Sequence, residues 1–316
     1  MSAHGGLPPA LIDGGSLPET SGFEEDNWYY EEDQGLSRMG IRFSAKLHVE
    51  QTPFQKLVIY DTQFFGKLLT LDDVVMFTER DEFAYHEMLI HVPLCSMPEP
   101  RRVLIIGGGD CGCLREALKH PSLEEVIQCD IDERVTKACA PFFDWIQPAM
   151  DHAKSKLLFE DGVALIERHE NSFDLIVVDS TDPKGPGVGL FTADFYAKVR
   201  RALTADGVMV AQTESPFWDP AMLGAIYEQI RQAFDQVVTY VGAAPSYPSG
   251  NWSWAYASNQ RKPSDHFNEL QAARLENECL YYNRQIHQAC FALPTFMHKA
   301  LRGENPFARF EPIPEK

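Results

Sequence analysis

Arg102-Val103-Leu104-Ile105-Ile106-Gly107-Gly108-Gly109-Asp110-Cys111-Gly112 is the stretch on which the fold turns. An apolar run from Val103 to Ile106 meets three glycines, and a helical spacing of Leu114, Ala117 and Leu118 follows. That order reads as a buried strand, a tight turn and a helix. Moving outward, similar strands are expected at 126–131, 156–159, 175–178 and 208–212, with helix-like segments between them. Continuous apolar strands such as Leu175-Ile176-Val177-Val178 suit a parallel sheet covered on both faces, and right-handed crossovers make such a sheet doubly wound. A late strand over 252–257 and a helical region around 265–301 complete this part.

Upstream the rhythm differs. Between Phe43 and Thr78 the chain runs in short β-rich stretches, such as Lys46-Leu47-His48-Val49 and Leu57-Val58-Ile59-Tyr60, broken by Gly66 and Asp72-Asp73. This predicts a small antiparallel β domain. Residues 1–22 are rich in Gly, Pro and Ser and lack periodicity, so they read as a flexible extension. The expected organisation is therefore an extension over 1–22, a β domain over 23–85, and a Rossmann-like α/β domain with a C-terminal helical region over 86–316. No internal repeat is evident.

With 28 basic against 46 acidic residues the formal charge is −18, which repels nucleic acid and attracts cations. Solubility alone is also served by such a charge. No stretch has the length and apolarity of a membrane span, and the first basic residue is Arg38, so neither a membrane partner nor a signal peptide is expected and the cytoplasm is the expected compartment. The cysteines at 95, 111, 113, 129, 139, 279 and 290 are odd in number and lack C-x-x-C spacing, which predicts neither disulfides nor a metal site.

Gly107-x-Gly109-x-x-Gly112 follows a strand and opens a helix, and Asp130 closes the next strand. Such an acidic residue can accept both hydroxyls of a ribose while the glycines admit the ligand to the backbone. NAD enzymes and S-adenosylmethionine enzymes share this pattern, and a tight turn alone asks for the same glycines. Asp110 narrows the choice, because a carboxylate inside the loop opposes a pyrophosphate and suits a cationic ligand tail. Asp161-Gly162 after the third strand offers an acceptor for an adenine amino group, or a helix N-cap. Asp179-Ser180-Thr181-Asp182-Pro183 ends the fourth strand, where open α/β sheets bind ligands. An alkyl amine of pKa about 10.4 costs roughly 5 kcal/mol to deprotonate at pH 7. A placed carboxylate can hold that ammonium and take its proton. An Asp-rich turn closed by Pro and Gly would look the same.

Together with Thr78-Glu79-Arg80-Asp81-Glu82-Phe83, Tyr85-His86-Glu87-Met88 and Tyr247-Pro248-Ser249-Gly250, these segments resemble the polyamine aminopropyltransferases, and among them the spermidine-forming members. The likeness runs over roughly residues 28–303 and includes Leu71-Asp72-Asp73-Val74 and the region from Tyr281 to Pro294. It implies an N-terminal β domain, a Rossmann-like catalytic domain and a homodimer or homotetramer. It further implies that Gln55, Gly107, Gly109, Asp110, Asp130, Asp161, Gly162 and Asp179 hold the co-substrate decarboxylated S-adenosylmethionine, without any other cofactor. Trp28, Tyr85, Asp179, Asp182, Gln212, Glu214, Tyr247 and Trp252 are implied to line the diamine site, with His86 beside them and Asp179 as the general base.

The expected reaction is direct displacement on the aminopropyl carbon by putrescine, releasing methylthioadenosine. An S-adenosylmethionine methyltransferase, an aminopropyltransferase for another diamine and a noncatalytic polyamine or nucleoside sensor are the competing readings. Two departures from the family pattern stand out. Cys111 and Cys113 interrupt a loop that commonly reads Gly-Gly-Gly-Asp-Gly-Gly, and Asp130 replaces the usual glutamate with a side chain one methylene shorter.

Overall fold

The computed structural model describes residues 27–33, 37–181 and 185–310. The extension over 1–22 and Asp182 lie outside these residues.

Five strands come first: β1 (Trp28–Asp33), β2 (Ser37–Gln51), β3 (Lys56–Thr62), β4 (Gly66–Leu71) and β5 (Val74–Thr78), paired antiparallel in that order. The sheet thus opens well before Phe43. β1 carries Glu31, Glu32 and Asp33, and its extended state follows from the ladder with β2, in which Tyr29 sits opposite Ile41. Period-two alternation sends Val58 and Tyr60 to a small outer cluster with Tyr29, Ile41, Leu68 and Val75, while Leu57 and Ile59 join the main core.

The second unit runs α1 (Glu82–Cys95), β6 (Arg102–Gly107), α2 (Gly112–Leu118), β7 (Glu125–Asp130), α3 (Glu133–Cys139), α4 (Ile146–Met150), β8 (Ser155–Phe159) and α5 (Gly162–Glu167). It continues with β9 (Phe173–Asp179), α6 (Ala193–Ala202), β10 (Leu203–Gln212), α7 (Pro220–Arg231), β11 (Gln236–Ala243) and β12 (Asn251–Ser258). Three short helices close the chain: α8 (Glu269–Leu275), α9 (Arg284–Ala289) and α10 (Thr295–Ala300). The sheet order is β11-β12-β10-β9-β6-β7-β8. Five strands are parallel, whereas β12 is antiparallel to both β10 and β11. The sheet is therefore mixed at one edge, and β11 adds a strand that the segment pattern did not predict.

Burial on both faces explains the apolar strands. Val103, Ile105, Leu175, Val177, Val208 and Val210 face the core built with α1 and α2. Their neighbours Leu104, Ile106, Ile176, Val178, Met209 and Ala211 face α5, α6 and α7. α1 is buried almost all round, so it acts as a core pillar. Glu87 on that helix is buried and accepts the backbone N–H groups of Leu280, Tyr281 and Tyr282 at 2.9, 2.8 and 2.7 Å, fixing the C-terminal segment. Among the described residues no helix is long and apolar enough to cross a membrane.

Candidate active site

The site forms at the carboxyl ends of β6, β7 and β9. Gly107 pairs with Asp179, and the Gly108 N–H donates to the Asp179 carbonyl at 2.9 Å. Gly107 and Gly108 hold positive φ of 85° and 67°. A methyl group at Gly107 would overlap the Asp179 backbone, so the loop must be glycine there. Cys111 also takes a left-handed conformation, φ 61°, at a cost of about 1 kcal/mol for a residue with a Cβ. The Gly112 N–H closes the turn onto Asp110 Oδ1 at 2.7 Å, and a methyl at Gly112 would overlap the imidazole of His86.

His86 is wedged between carboxylates. Its Nδ1 lies 2.6 Å from Glu82 Oε2, and its Nε2 lies 3.4 Å from Asp110 Oδ1. Arg115 donates to both oxygens of Glu82 at 2.9 and 2.8 Å. Burial alone would push the imidazole down, but Asp110 and Glu82, with Asp179 behind them, lift its pKa to about 9. His86 is thus an imidazolium at neutral pH. Burial first, and then Asp110, raise Asp179 above the usual carboxylate range, against the pull of His86. The Tyr85 hydroxyl donates to Asp179 Oδ1 at 3.0 Å. Asp179 Oδ2 is buried without a hydrogen-bond partner among the described residues.

Two cavities meet here, of about 500 and about 890 Å³. Gln55, Gly107, Gly109, Asp110, Asp130, Asp161, Gly162 and Asp179 line the first, together with His86. Gln212, Glu214 and Trp252 line the second. Met76, Tyr85, Ser180, Thr181 and Tyr247 border both. Trp28 is not among the described residues that line either cavity; its ring stacks on Tyr30 at 6.3 Å, and Tyr30 lines the second cavity.

Support around these residues is specific. Asp130 Oδ1 accepts the Asp132 N–H at 2.7 Å, and burial lifts the Asp130 pKa to about 7. Asp132 receives Thr52 Oγ1 at 2.7 Å and Gln55 Nε2 at 3.1 Å, which aims the Gln55 amide. Asp161 caps α5 through the Val163 N–H at 2.8 Å and also lines the first cavity. Glu214 holds a strained φ of 79°, and its N–H donates to Gln212 Oε1 at 3.1 Å. The Tyr247 hydroxyl donates to the Met76 carbonyl at 2.6 Å and ties the second unit to the first sheet.

Sequence reasoning passed over several contributors. Glu82 and Arg115 orient His86, and the i,i+4 spacing of Glu82 and His86 on one helix was the available signal. Leu69, Leu71 and Met76 give the first cavity an apolar wall, and Glu31, Asp73 and Asp219 make the second acidic. His86, Cys113 and Asp179 also bring three ligand-type atoms within 4.8 Å of one another, as do His91, Glu116 and Cys279, so the cysteines are less isolated than their spacing suggests.

Comparison with known proteins settles the family. Residues 82–269 match the spermine/spermidine synthase domain, and residues 27–79 match the spermidine synthase tetramerisation domain. The chain is 42% identical to a polyamine aminopropyltransferase of Moorella thermoacetica over 276 residues, covering 87% of this chain and 96% of that protein. This chain belongs to the spermine/spermidine synthase family. It is accordingly an aminopropyl-transferring enzyme of polyamine biosynthesis. A Thermoanaerobacter family member is 40% identical, covering 85% of this chain and 96% of its own. Two solved family structures share the architecture. Spermidine synthase from Thermotoga maritima superposes with a TM-score of 0.83 at 37% identity, covering 87% of this chain and 94% of that one. Spermidine synthase bound to the transition-state analogue AdoDATO gives 0.84 at 38% identity, with the same coverage.

Proposed function

We propose that this enzyme transfers the aminopropyl group of decarboxylated S-adenosylmethionine to putrescine, forming spermidine and methylthioadenosine. The observation that carries this reading is the unpartnered Oδ2 of Asp179, placed at the first cavity beside Tyr85, where that cavity borders the second. The nucleoside of the donor occupies the first cavity, with its ribose on Asp130, its adenine near Asp161 and Gly162, and its aminopropyl ammonium near Asp110. The diamine occupies the second, between Tyr85, Tyr247 and Trp252, with Gln212 and Glu214 toward its far amine. Asp182 contributes a further carboxylate to the acceptor.

In the reaction Asp179 holds the attacking ammonium, takes its proton and lets the nitrogen lone pair attack the carbon next to the sulfonium. The carbon–sulfur bond breaks and methylthioadenosine leaves as a neutral thioether. Alignment and carboxylate placement supply the catalysis, and the displacement requires no Lewis acid. The imidazolium of His86 keeps Asp110 and Asp179 from repelling each other across the donor tail.

The match to a tetramerisation domain supports assembly as a homodimer or homotetramer, which light scattering distinguishes. The activity is tested by incubation with donor and putrescine, read by mass spectrometry. Spermidine and methylthioadenosine in equal amounts support the reading. Methylated product from ordinary S-adenosylmethionine at a comparable rate overturns it.

A further inference from the structure

We propose that His86, Cys113 and Asp179 form an inhibitory site for a soft divalent cation of the zinc class. One ligand atom from each lies within 4.8 Å of the other two. Tetrahedral zinc with bonds of about 2.0–2.3 Å needs ligand separations of about 3.3–3.8 Å, so contraction by about 1 Å brings three ligands to bonding distance and leaves the fourth position to water. Small rotations of the Cys113 and Asp179 side chains can supply that contraction.

The donors suit the ion. Nδ1 of His86 is held by Glu82 at 2.6 Å, the outer carboxylate contact that commonly fixes a metal-binding imidazole, which leaves Nε2 to bind. Oδ2 of Asp179 is buried without a partner among the described residues, so it is open to a cation, whether the substrate ammonium or a metal. Asp110, 3.4 Å from His86 Nε2, adds negative charge at the rim. His86 and Asp179 face the first cavity, which gives the ion an entry path, and Cys113 is fully buried behind them. The thiol proton and the Nε2 proton of the His86 imidazolium both leave to solvent as sulfur and nitrogen take the metal, with Nδ1–H still donating to Glu82.

The other three-residue cluster is different. Glu116 is already engaged by Lys119 at 2.6 Å and by His91 at 2.9 Å, and the second nitrogen of His91 meets His120 at 2.9 Å. Its polar atoms are satisfied by protein groups.

Occupancy of the first cluster would set a cation where Asp179 receives the amine, so the inhibitory consequence rests on the function proposed above, whereas the binding does not. The test titrates Co²⁺ into EDTA-treated enzyme and records absorption. A thiolate-to-cobalt band saturating at one equivalent, absent in Cys113→Val and kept in Cys279→Ala, is expected. Zn²⁺ should inhibit aminopropyl transfer reversibly, with EDTA restoring it, and Cys113→Val should be at least about ten-fold less sensitive, each enzyme being compared with its own metal-free rate. If Cys113→Val folds poorly, Cys113→Ala takes its place. Absence of the band, its survival in both Cys113 variants, or equal zinc sensitivity of variant and wild type overturns the proposal. An enzyme inactive with both substrates but positive for the band would overturn the functional reading and leave the metal site standing.

Discussion

The hydroxyl of Tyr85 donates to Oδ1 of Asp179 at 3.0 Å, while Oδ2 is buried without a hydrogen-bond partner among the described residues. Asp179→Asn preserves size but cannot accept a proton. Turnover should fall by about 10²- to 10⁴-fold, with donor binding weakened less. Measuring kcat and KM against putrescine between about pH 6 and 9 checks this. A variant with near wild-type kcat at neutral pH removes Asp179 from the mechanism.

Gly112→Ala tests the placement of His86 from the other side. The added methyl overlaps the imidazole, and Glu82 and Asp110 leave that ring nowhere to move. Overpacking of this kind costs about 1–3 kcal/mol. Lower melting temperature together with reduced kcat is expected, and full activity at wild-type stability would contradict the wedge.

With Asp130 as the proposed ribose acceptor, nucleoside binding is expected to depend on pH. Its pKa is raised to about 7 by burial, while an unfolded aspartate titrates near about 3.9. The folded protein therefore holds a proton that the unfolded chain has lost between these values, and this contribution to stability fades as pH rises through about 7. Ribose hydroxyls favour the ionised carboxylate, so methylthioadenosine should bind more tightly as pH rises across that range and release a proton. Calorimetry near pH 7 in buffers of different ionisation heat measures that proton, and Asp130→Asn should abolish it. Proton-neutral binding by the wild type would exclude the linkage.

Ordinary S-adenosylmethionine should be a poor ligand, because on the proposed function its carboxylate falls beside Asp110 and Asp179. Competition against methylthioadenosine measures this directly. Equal affinity for the decarboxylated and ordinary compounds would show that the two aspartates do not select the donor.

Glu87 predicts a stability effect away from the chemistry. Glu87→Ala leaves three backbone donors at 280–282 without their acceptor, a loss of about 2–4 kcal/mol. Urea denaturation should show it, with earlier proteolysis near Leu280. An unchanged midpoint would mean that this segment is held by its apolar contacts.

Much of this molecule was readable because its chemistry follows short-range rules. β6 and β9 are apolar runs ended by a glycine and an aspartate, so strand, turn and ligand edge all lie within a few residues. β1 was hidden by its acidic composition, since its extended state depends on pairing with β2 rather than on propensity. The stacking of Trp28 on Tyr30 belongs to the packing of β1 and left no mark in the local pattern. The aiming of Gln55 by Asp132 joins residues 77 apart, a distance that no local pattern spans.

The bond from Gly108 to the carbonyl of Asp179 makes the glycine loop and the proposed base one mechanical piece. The wall of the second cavity, by contrast, is assembled mostly from separate segments, at 30–32, 72–76, 212–222 and 247–252. On the proposed function, substitutions at Gln212, Glu214 or Trp252, which line the second cavity alone, can reshape which amine is admitted without disturbing how the donor is held. A lineage built on this architecture can diversify its products while inheriting its reaction unchanged.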